Sequence, residues 1–145
     1  LIKSPKLYFL DSAVAAELTR QPGPDAMVAG AMGGAFFEGL VVNEAYKAFA
    51  AAGRRPDIFF WRSGDGLEVD LLIVTREGLL PVEVKLTATP TPEHARSLER
   101  FRDLAESERP CPGVIVCQVD RETHLPHGTV ALPWHRFPAY IRKRL

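Results

Sequence analysis

The strongest constraint on the fold is a pair of apolar, β-branched-rich segments joined by a short polar turn. Residues 67–74 and 79–86 flank Thr75-Arg76-Glu77-Gly78, and two such runs around a glycine-containing turn are typical of a β-hairpin. We place the centre of the turn at Glu77-Gly78. Counting back along both strands then predicts one wholly apolar face with three opposed pairs: Ile73 with Val82, Leu71 with Val84, and Val69 with Leu86.

The other face of the predicted hairpin carries ionisable side chains. In this register Asp70 lies directly opposite Lys85, and Glu83 is its diagonal neighbour at roughly 7–8 Å between backbones. The spacing therefore predicts that two carboxylates and an ammonium share one patch. The alternative interpretation is a solvated strand face on which Asp70 forms an ordinary ion pair with Lys85.

Such a patch suits a divalent cation. Mg²⁺ takes oxygen ligands and keeps several waters, so one or two carboxylates and substrate phosphate oxygens are enough to hold it. The ion lowers the pKa of a bound water and polarises a phosphoryl oxygen, while a nearby lysine offsets developing charge. Asp70, Glu83 and Lys85 match these three roles.

A further carboxylate, Glu38, begins an apolar stripe on a predicted helix. Residues 32–52 are apolar at helical spacing, and the stripe that starts at Glu38 continues through Val41, Val42, Ala45 and Phe49. A core-facing carboxylate is costly unless it is paired, hydrogen-bonded or bound to a cation. The alternative is an acid near a helix start, favoured by the macrodipole, that reaches sideways to water.

Taken in order, these residues resemble a known family. Gly34-Ala-Phe-Phe-Glu38 on a helix, Glu68-Val-Asp70 on a strand and Glu83-Val-Lys85 on the next strand look like the PD-(D/E)XK nuclease-like fold. With Pro5-Lys-Leu-Tyr-Phe-Leu-Asp11 included, the whole chain is similar to the uncharacterised C-terminal domain of a prokaryotic family of AAA-type ATPases. The resemblance implies a restriction-endonuclease-like core.

The resemblance also implies a function and its residues. Asp70 and Glu83 would be metal ligands for Mg²⁺ or Mn²⁺, Lys85 the catalytic lysine, and Glu38 the helical acid that completes the metal site. The expected activity is divalent-metal-dependent cleavage of DNA, with the ATPase part of the same chain as partner. The alternative is a non-catalytic module that docks the ATPase to nucleic acid or protein. No phosphate-binding P-loop sequence occurs, so no bound nucleotide is expected in this segment.

Length and composition favour a single domain over residues 1–145. An apolar share of 46% and a charged share of 25% are ordinary for a soluble globular protein. No apolar run reaches the ~20 residues that span a bilayer. We expect a cytoplasmic domain cut from the C-terminal part of a longer ATPase. The two cysteines and four histidines show no zinc-site spacing.

The charge balance does not by itself favour nucleic acid, because 18 basic residues match 18 acidic ones. Local positive charge singles out Arg62, Arg96 and Arg100 as candidate phosphate contacts, although arginines on helix faces are usually just solvated. Self-association through Trp61, Trp134 and the C-terminal helix is a third hypothesis, and the oligomeric state stays open.

The remaining pattern predicts an α+β, or mixed α/β, order. A strand or extended segment at 7–10 precedes a short helix from Asp11-Ser12 to Thr19 and a Pro/Gly loop at 21–25. After the 32–52 helix, a strand at 57–62 and the hairpin form a three-strand meander. A helix opening at Thr91-Pro92, a buried strand at 114–119, a polar loop, a strand at 129–132 and a helix at 135–142 complete the chain.

Overall fold

The computed structural model describes residues 5–145 and has an α+β architecture, as predicted. Its elements in chain order are α1 (Ser12–Leu18), α2 (Pro24–Ala29), α3 (Gly33–Ala51), β1 (Ile58–Arg62), β2 (Glu68–Thr75), β3 (Gly78–Val84), α4 (Arg96–Leu104), β4 (Val114–Cys117), β5 (Thr123–His124), β6 (Val130–Pro133) and α5 (Phe137–Arg142). The predicted helix, three-strand meander, helix and strand are confirmed in that order.

The strands form one mixed sheet in the order β1-β2-β3-β4-β6-β5. The β1-β2-β3 meander is antiparallel, whereas β3, β4 and β6 pair in parallel, and β5 is antiparallel to β6. Parallel neighbours need a crossover connection, and α4 is the crossover between β3 and β4. The acidic strands β2 and β3 are thus inside the sheet and not at its edge.

Both faces of the sheet are covered. On one face α3 and α5 pack through Phe49, Val41 and Phe137 against alternate strand residues such as Leu71 and Val82. On the other face α4 packs against the remaining strand residues, which include Ile115, Cys117 and Val69; its own contributions are Leu98 and Phe101. Because helices lie on both sides, the face that carries the ionisable residues of the hairpin is not a solvated surface.

The predicted hairpin register is wrong by two residues. Leu71 pairs with Val82, and Thr75 pairs with Gly78, so the turn is Arg76-Glu77. The Thr75 hydroxyl explains the tighter turn, because it donates to the Gly78 carbonyl at 2.8 Å and accepts from the Glu77 amide at 3.2 Å. The ladder of paired residues ends at Leu71 and Val82, so the predicted pair of Asp70 with Lys85 is not formed.

A β-bulge in β2 changes the predicted faces as well. Phe59 on β1 pairs with Leu72 on β2, and Trp61 pairs with Val69. The step from the first pair to the second is two residues long on β1 and three residues long on β2. One extra residue therefore lies at Asp70-Leu71, and a bulge of this kind re-aims the side chains on either side of it. Val69 consequently packs on the α4 face, whereas the strict alternation predicted it beside Leu71 on the other face.

Several shorter elements also differ from prediction. For the segment at 7–10, predicted as a strand or an extended entry, only the extended entry remains, because residues 5–10 form no strand; we call them the N-terminal arm. Helix α1 begins as predicted, with the Asp11 carboxylate accepting from the Ala13 amide at 2.8 Å. The loop predicted at 21–25 gives way to α2, whose first residue is Pro24, a position that favours proline. Strand β5 lies where a loop was predicted.

Within residues 5–145 we find no helix with the length and apolar character needed to cross a membrane. Trp61, named above as a possible self-association contact, packs inside the domain instead. Its ring meets that of Phe101 edge-on at a centroid distance of 5.2 Å.

Candidate active site

The Asp70 carboxylate lies at the bulge in β2, beside β3. Its Oδ2 accepts a hydrogen bond from the Val84 amide at 2.8 Å, and only 14% of the side chain is exposed. Burial, together with the negative charges of Glu83 and Glu38, raises the pKa of Asp70 to about 7 against the opposing hydrogen bond from Val84. The carboxyl is therefore held in an environment that disfavours its own charge.

Glu83 and Lys85 reach the site from the α4 side of β3. The Ser97 hydroxyl on α4 donates to Glu83 Oε2 at 2.7 Å, and Lys85 Nζ lies 2.6 Å from Glu83 Oε1. Burial tends to lower the pKa of Lys85, but the hydrogen bond and the charge of Glu83 outweigh it and raise the pKa. Both oxygens of this nearly buried carboxylate thus have a donor, and the lysine stays charged.

Glu38 is a paired acid, so of the two alternatives drawn from the sequence the paired one holds. Its Oε1 accepts a hydrogen bond from the Tyr8 hydroxyl and lies 3.1 Å from Lys6 Nζ. Burial raises the pKa of Tyr8, and the hydrogen bond to Glu38 raises it further. Helix α3 therefore presents Glu38 to the N-terminal arm as well as toward Asp70.

The ammonium of Lys6 lies among three carboxylates. It contacts Glu68, is 3.1 Å from Glu38 Oε1 and is 3.9 Å from Asp70 Oδ1. Burial acts to lower the pKa of Lys6, yet the hydrogen bonds that its ammonium donates to Glu68 and Glu38, together with the charge of Glu38, raise it overall. An internal cation thus already partners the acids on this side of the site.

The four residues predicted for the site, Glu38, Asp70, Glu83 and Lys85, are therefore brought together, but from both faces of the sheet. Asp70 and Leu71 line a cavity of about 400 Å³ beside α3 and the arm. Glu83 and Lys85 line a separate groove of about 640 Å³ beside α4. The charges of Glu83 and Glu38 nevertheless raise the pKa of Asp70, so the three carboxylates lie close enough to interact although Asp70 and Glu83 line different cavities.

The three candidate phosphate contacts occupy different places. Arg96 and Arg100 line the α4 groove together with Lys85. Arg62, at the end of β1, lies with its Nε 3.8 Å from Glu68 and does not line that groove. The α4 groove as a whole is acidic, since three basic side chains face six carboxylates: Asp65, Glu68, Glu83, Glu93, Glu99 and Asp103.

The donor chemistry of the site fits a hard divalent cation, since carboxylate oxygens are the ligands that Mg²⁺ and Mn²⁺ prefer. The spatial arrangement of these side chains does not match their chemistry. In the described part of the chain no group of three or more His, Cys, Asp or Glu side chains is arranged to hold a metal ion. In this arrangement Lys6 engages Glu38 and Glu68, and Lys85 and Ser97 engage Glu83.

Sequence reasoning missed four contributors to the site. Lys6 and Tyr8 belong to the Pro-Lys-x-Tyr-Phe-x-Asp segment that supported the resemblance, so that motif was a usable signal. Glu68 precedes Asp70 by two residues and carried a weaker signal of the same kind. Ser97 gave no signal in the sequence, because its role depends on how α4 packs over β3.

Comparison with models of protein families assigns the chain to a family. A family model described as Domain of unknown function (DUF4143) matches residues 33–137, which is more than half of the chain. The chain belongs to the DUF4143 family. The match runs from α3 to the start of α5 and so includes Glu38, Asp70, Glu83 and Lys85, while the N-terminal arm lies outside it. Comparisons with characterised proteins and with solved structures found no match.

Proposed function

We propose that this DUF4143 domain is a divalent-cation-dependent phosphodiesterase that acts on DNA, of the PD-(D/E)XK nuclease-like type. The observation that carries the proposal is the Asp70 carboxylate, which is buried beside the charges of Glu83 and Glu38. Neighbouring carboxylates repel each other and raise the pKa, and a bound cation relieves that repulsion. Perturbed acids in a cleft are typical of functional sites.

In this proposal each residue has a separate role. Asp70, Glu83 and Glu38 would hold Mg²⁺ or Mn²⁺, which when bound supplies an activated water and a polarised phosphate. Ser97 fixes one oxygen of Glu83, and this keeps the carboxylate oriented. Lys85 carries its charge into the α4 groove, where it would stabilise negative charge developing on phosphate. Arg96 and Arg100 line the same groove and would contact the DNA backbone.

The experiment is plasmid nicking with Mn²⁺ or Mg²⁺, together with Mn²⁺ binding by calorimetry. We expect Asp70→Asn and Lys85→Met to lower nicking by at least about 100-fold. The matched controls are Asp120→Asn and Lys47→Met, because both remove the same charge from exposed positions. Circular dichroism checks that all four variants are folded. Absence of Mn²⁺ binding, or nicking that survives Lys85→Met, would reject the proposal.

A second candidate is a non-catalytic module that docks an AAA-type ATPase of the same chain to nucleic acid or protein. The acidic α4 groove favours the protein partner within this alternative, because six carboxylates against three basic groups repel a phosphate backbone unless a cation is bound. Nicking by the wild type that disappears in folded Asp70→Asn would reject this alternative. Retained partner binding by that variant, with no nicking by either protein, would support it.

A further inference from the structure

Lys6 occupies the point at which acidic side chains from two elements converge. Glu38 comes from α3, and Glu68 and Asp70 come from β2. The Lys6 ammonium contacts Glu68 and is 3.1 Å and 3.9 Å from the nearest oxygens of the other two. One cation is thus the shared partner of three carboxylates.

The arm around Lys6 is held by further contacts, so the ammonium is not a loosely placed surface charge. The Tyr8 hydroxyl donates to Glu38, and the Asn43 amide of α3 donates to the Phe9 carbonyl at 2.8 Å. Lys6 Nζ also lies 5.6 Å from the centre of the Phe60 ring, within the range of a cation–π contact. Exposed ion pairs contribute little by themselves, whereas this one belongs to a network that also fixes the backbone.

A divalent cation at this site needs the same oxygen atoms. Mg²⁺ and Mn²⁺ bind through carboxylate oxygens and repel a nearby ammonium. Glu38 and Asp70 cannot serve both cations at once, because Lys6 lies between the carboxylates that would approach the ion. Withdrawal of Lys6 without replacement would leave the carboxylates without their shared cation.

We propose that Lys6 is the built-in cation of this site, and that a divalent cation binds by displacing Lys6 and the N-terminal arm from Glu38, Glu68 and Asp70. This inference rests on the proposed function, since it takes the acids to be a cation site. It adds Glu68 to the residues that face the cation, and it makes the arm a competitive inhibitor within the chain. Because linkage is reciprocal, a cation that loosens the arm is bound more weakly whenever the arm is in place.

The first test is Mn²⁺ affinity measured by calorimetry on the 145-residue chain. Lys6→Met keeps the length of the side chain and removes its charge, so it should raise Mn²⁺ affinity by about tenfold or more, within the usual range of coupling between sites. Lys47→Met is the matched control. It removes the same charge from α3, where Lys47 pairs with Glu44 on the exposed surface, and it should change affinity by less than about twofold.

The second test uses the wild type and does not depend on a variant. Cleavage by trypsin after Lys6 should become faster as Mn²⁺ is added, because the arm leaves Glu38 and the contact between Asn43 and Phe9 is lost. Cleavage after Arg102, inside α4, should keep its rate. An unchanged rate of cleavage after Lys6 at saturating Mn²⁺ would overturn the inference.

The outcomes separate this inference from the proposed function. Equal Mn²⁺ affinity in wild type and Lys6→Met overturns the role of Lys6 and leaves the proposed function intact. Tighter binding by Lys6→Met, with no nicking by either protein, supports the role of Lys6 and rejects catalysis. Failure of both proteins to bind Mn²⁺ overturns both.

Discussion

Replacement of Asp70 by asparagine should stabilise the domain at neutral and alkaline pH. The pKa of Asp70 is raised from 3.8 to about 7, mainly by burial and then by the charges of Glu83 and Glu38. Each pKa unit corresponds to about 1.4 kcal/mol, so ionised Asp70 costs the folded state about 4 kcal/mol. Only 14% of the side chain is exposed, so solvent screens this cost weakly.

The sign follows from proton binding. A carboxyl whose pKa is higher in the folded state than in the unfolded state keeps its proton longer when folded, so folding is favoured as pH falls. The wild type should therefore lose stability between pH values of about 4 and 7, the unfolded and folded pKa values of Asp70. Asparagine cannot ionise, and its side-chain oxygen can still accept from the Val84 amide.

The assay is urea unfolding of wild type and Asp70→Asn at pH values from about 4.5 to 8. We expect the difference in unfolding free energy to grow in favour of the variant by about 3 kcal/mol across that range. Asp120→Asn is the control, because Asp120 is exposed and its replacement should leave the pH profile unchanged. A difference between Asp70→Asn and wild type that stays constant with pH within about 0.5 kcal/mol would refute the reasoning.

Two further predictions test the fold that positions the site, both by urea unfolding. Gly78→Ala should destabilise by at least about 2 kcal/mol, because Gly78 has a φ of +129° and an added Cβ would lie 2.1 Å from the Arg109 carbonyl oxygen. Gly64→Ala, which meets nothing within 4 Å, should stay within about 0.5 kcal/mol. Phe49→Ala should cost about 3–5 kcal/mol, because Phe49 is fully buried under the sheet, whereas Phe59→Ala at the 56% exposed edge position should cost far less.

The order of elements could be predicted because each has its own local signal. The α3 stripe, the strand-like runs on either side of a glycine turn, and Thr91-Pro92 before α4 each act over a few residues. The exact pairing of the strands could not be predicted, because it depends on the Thr75 hydroxyl, which closes a shorter turn than the position of the glycine suggested. A shift of two residues keeps every side chain on its predicted face, so periodicity alone does not distinguish the two registers.

The candidate residues of the site could be named from the sequence, but their arrangement could not. The bulge at Asp70-Leu71 leaves no periodic signature in β2, and it decides which face Val69 and Asp70 occupy. Lys6 is distant in sequence from the acids that it contacts, and no local pattern links a lysine in an extended arm to carboxylates on α3 and β2. Contacts of this kind depend on tertiary packing.

The acids of β2 and β3 also bear on why the site exists. A strand covered on both faces is usually apolar throughout, and Asp70 and Glu83 are departures from that rule on two neighbouring central strands. Well-packed apolar residues often replace buried ionic groups with no loss of stability, or with a gain. The two acids are compensated by hydrogen bonds and positive charges from the Val84 amide, Ser97, Lys85 and Lys6. The raised pKa of Asp70 means that this compensation is incomplete. The remaining unfavourable charge is what a divalent cation would neutralise, so the cost to stability and the proposed function have one physical origin.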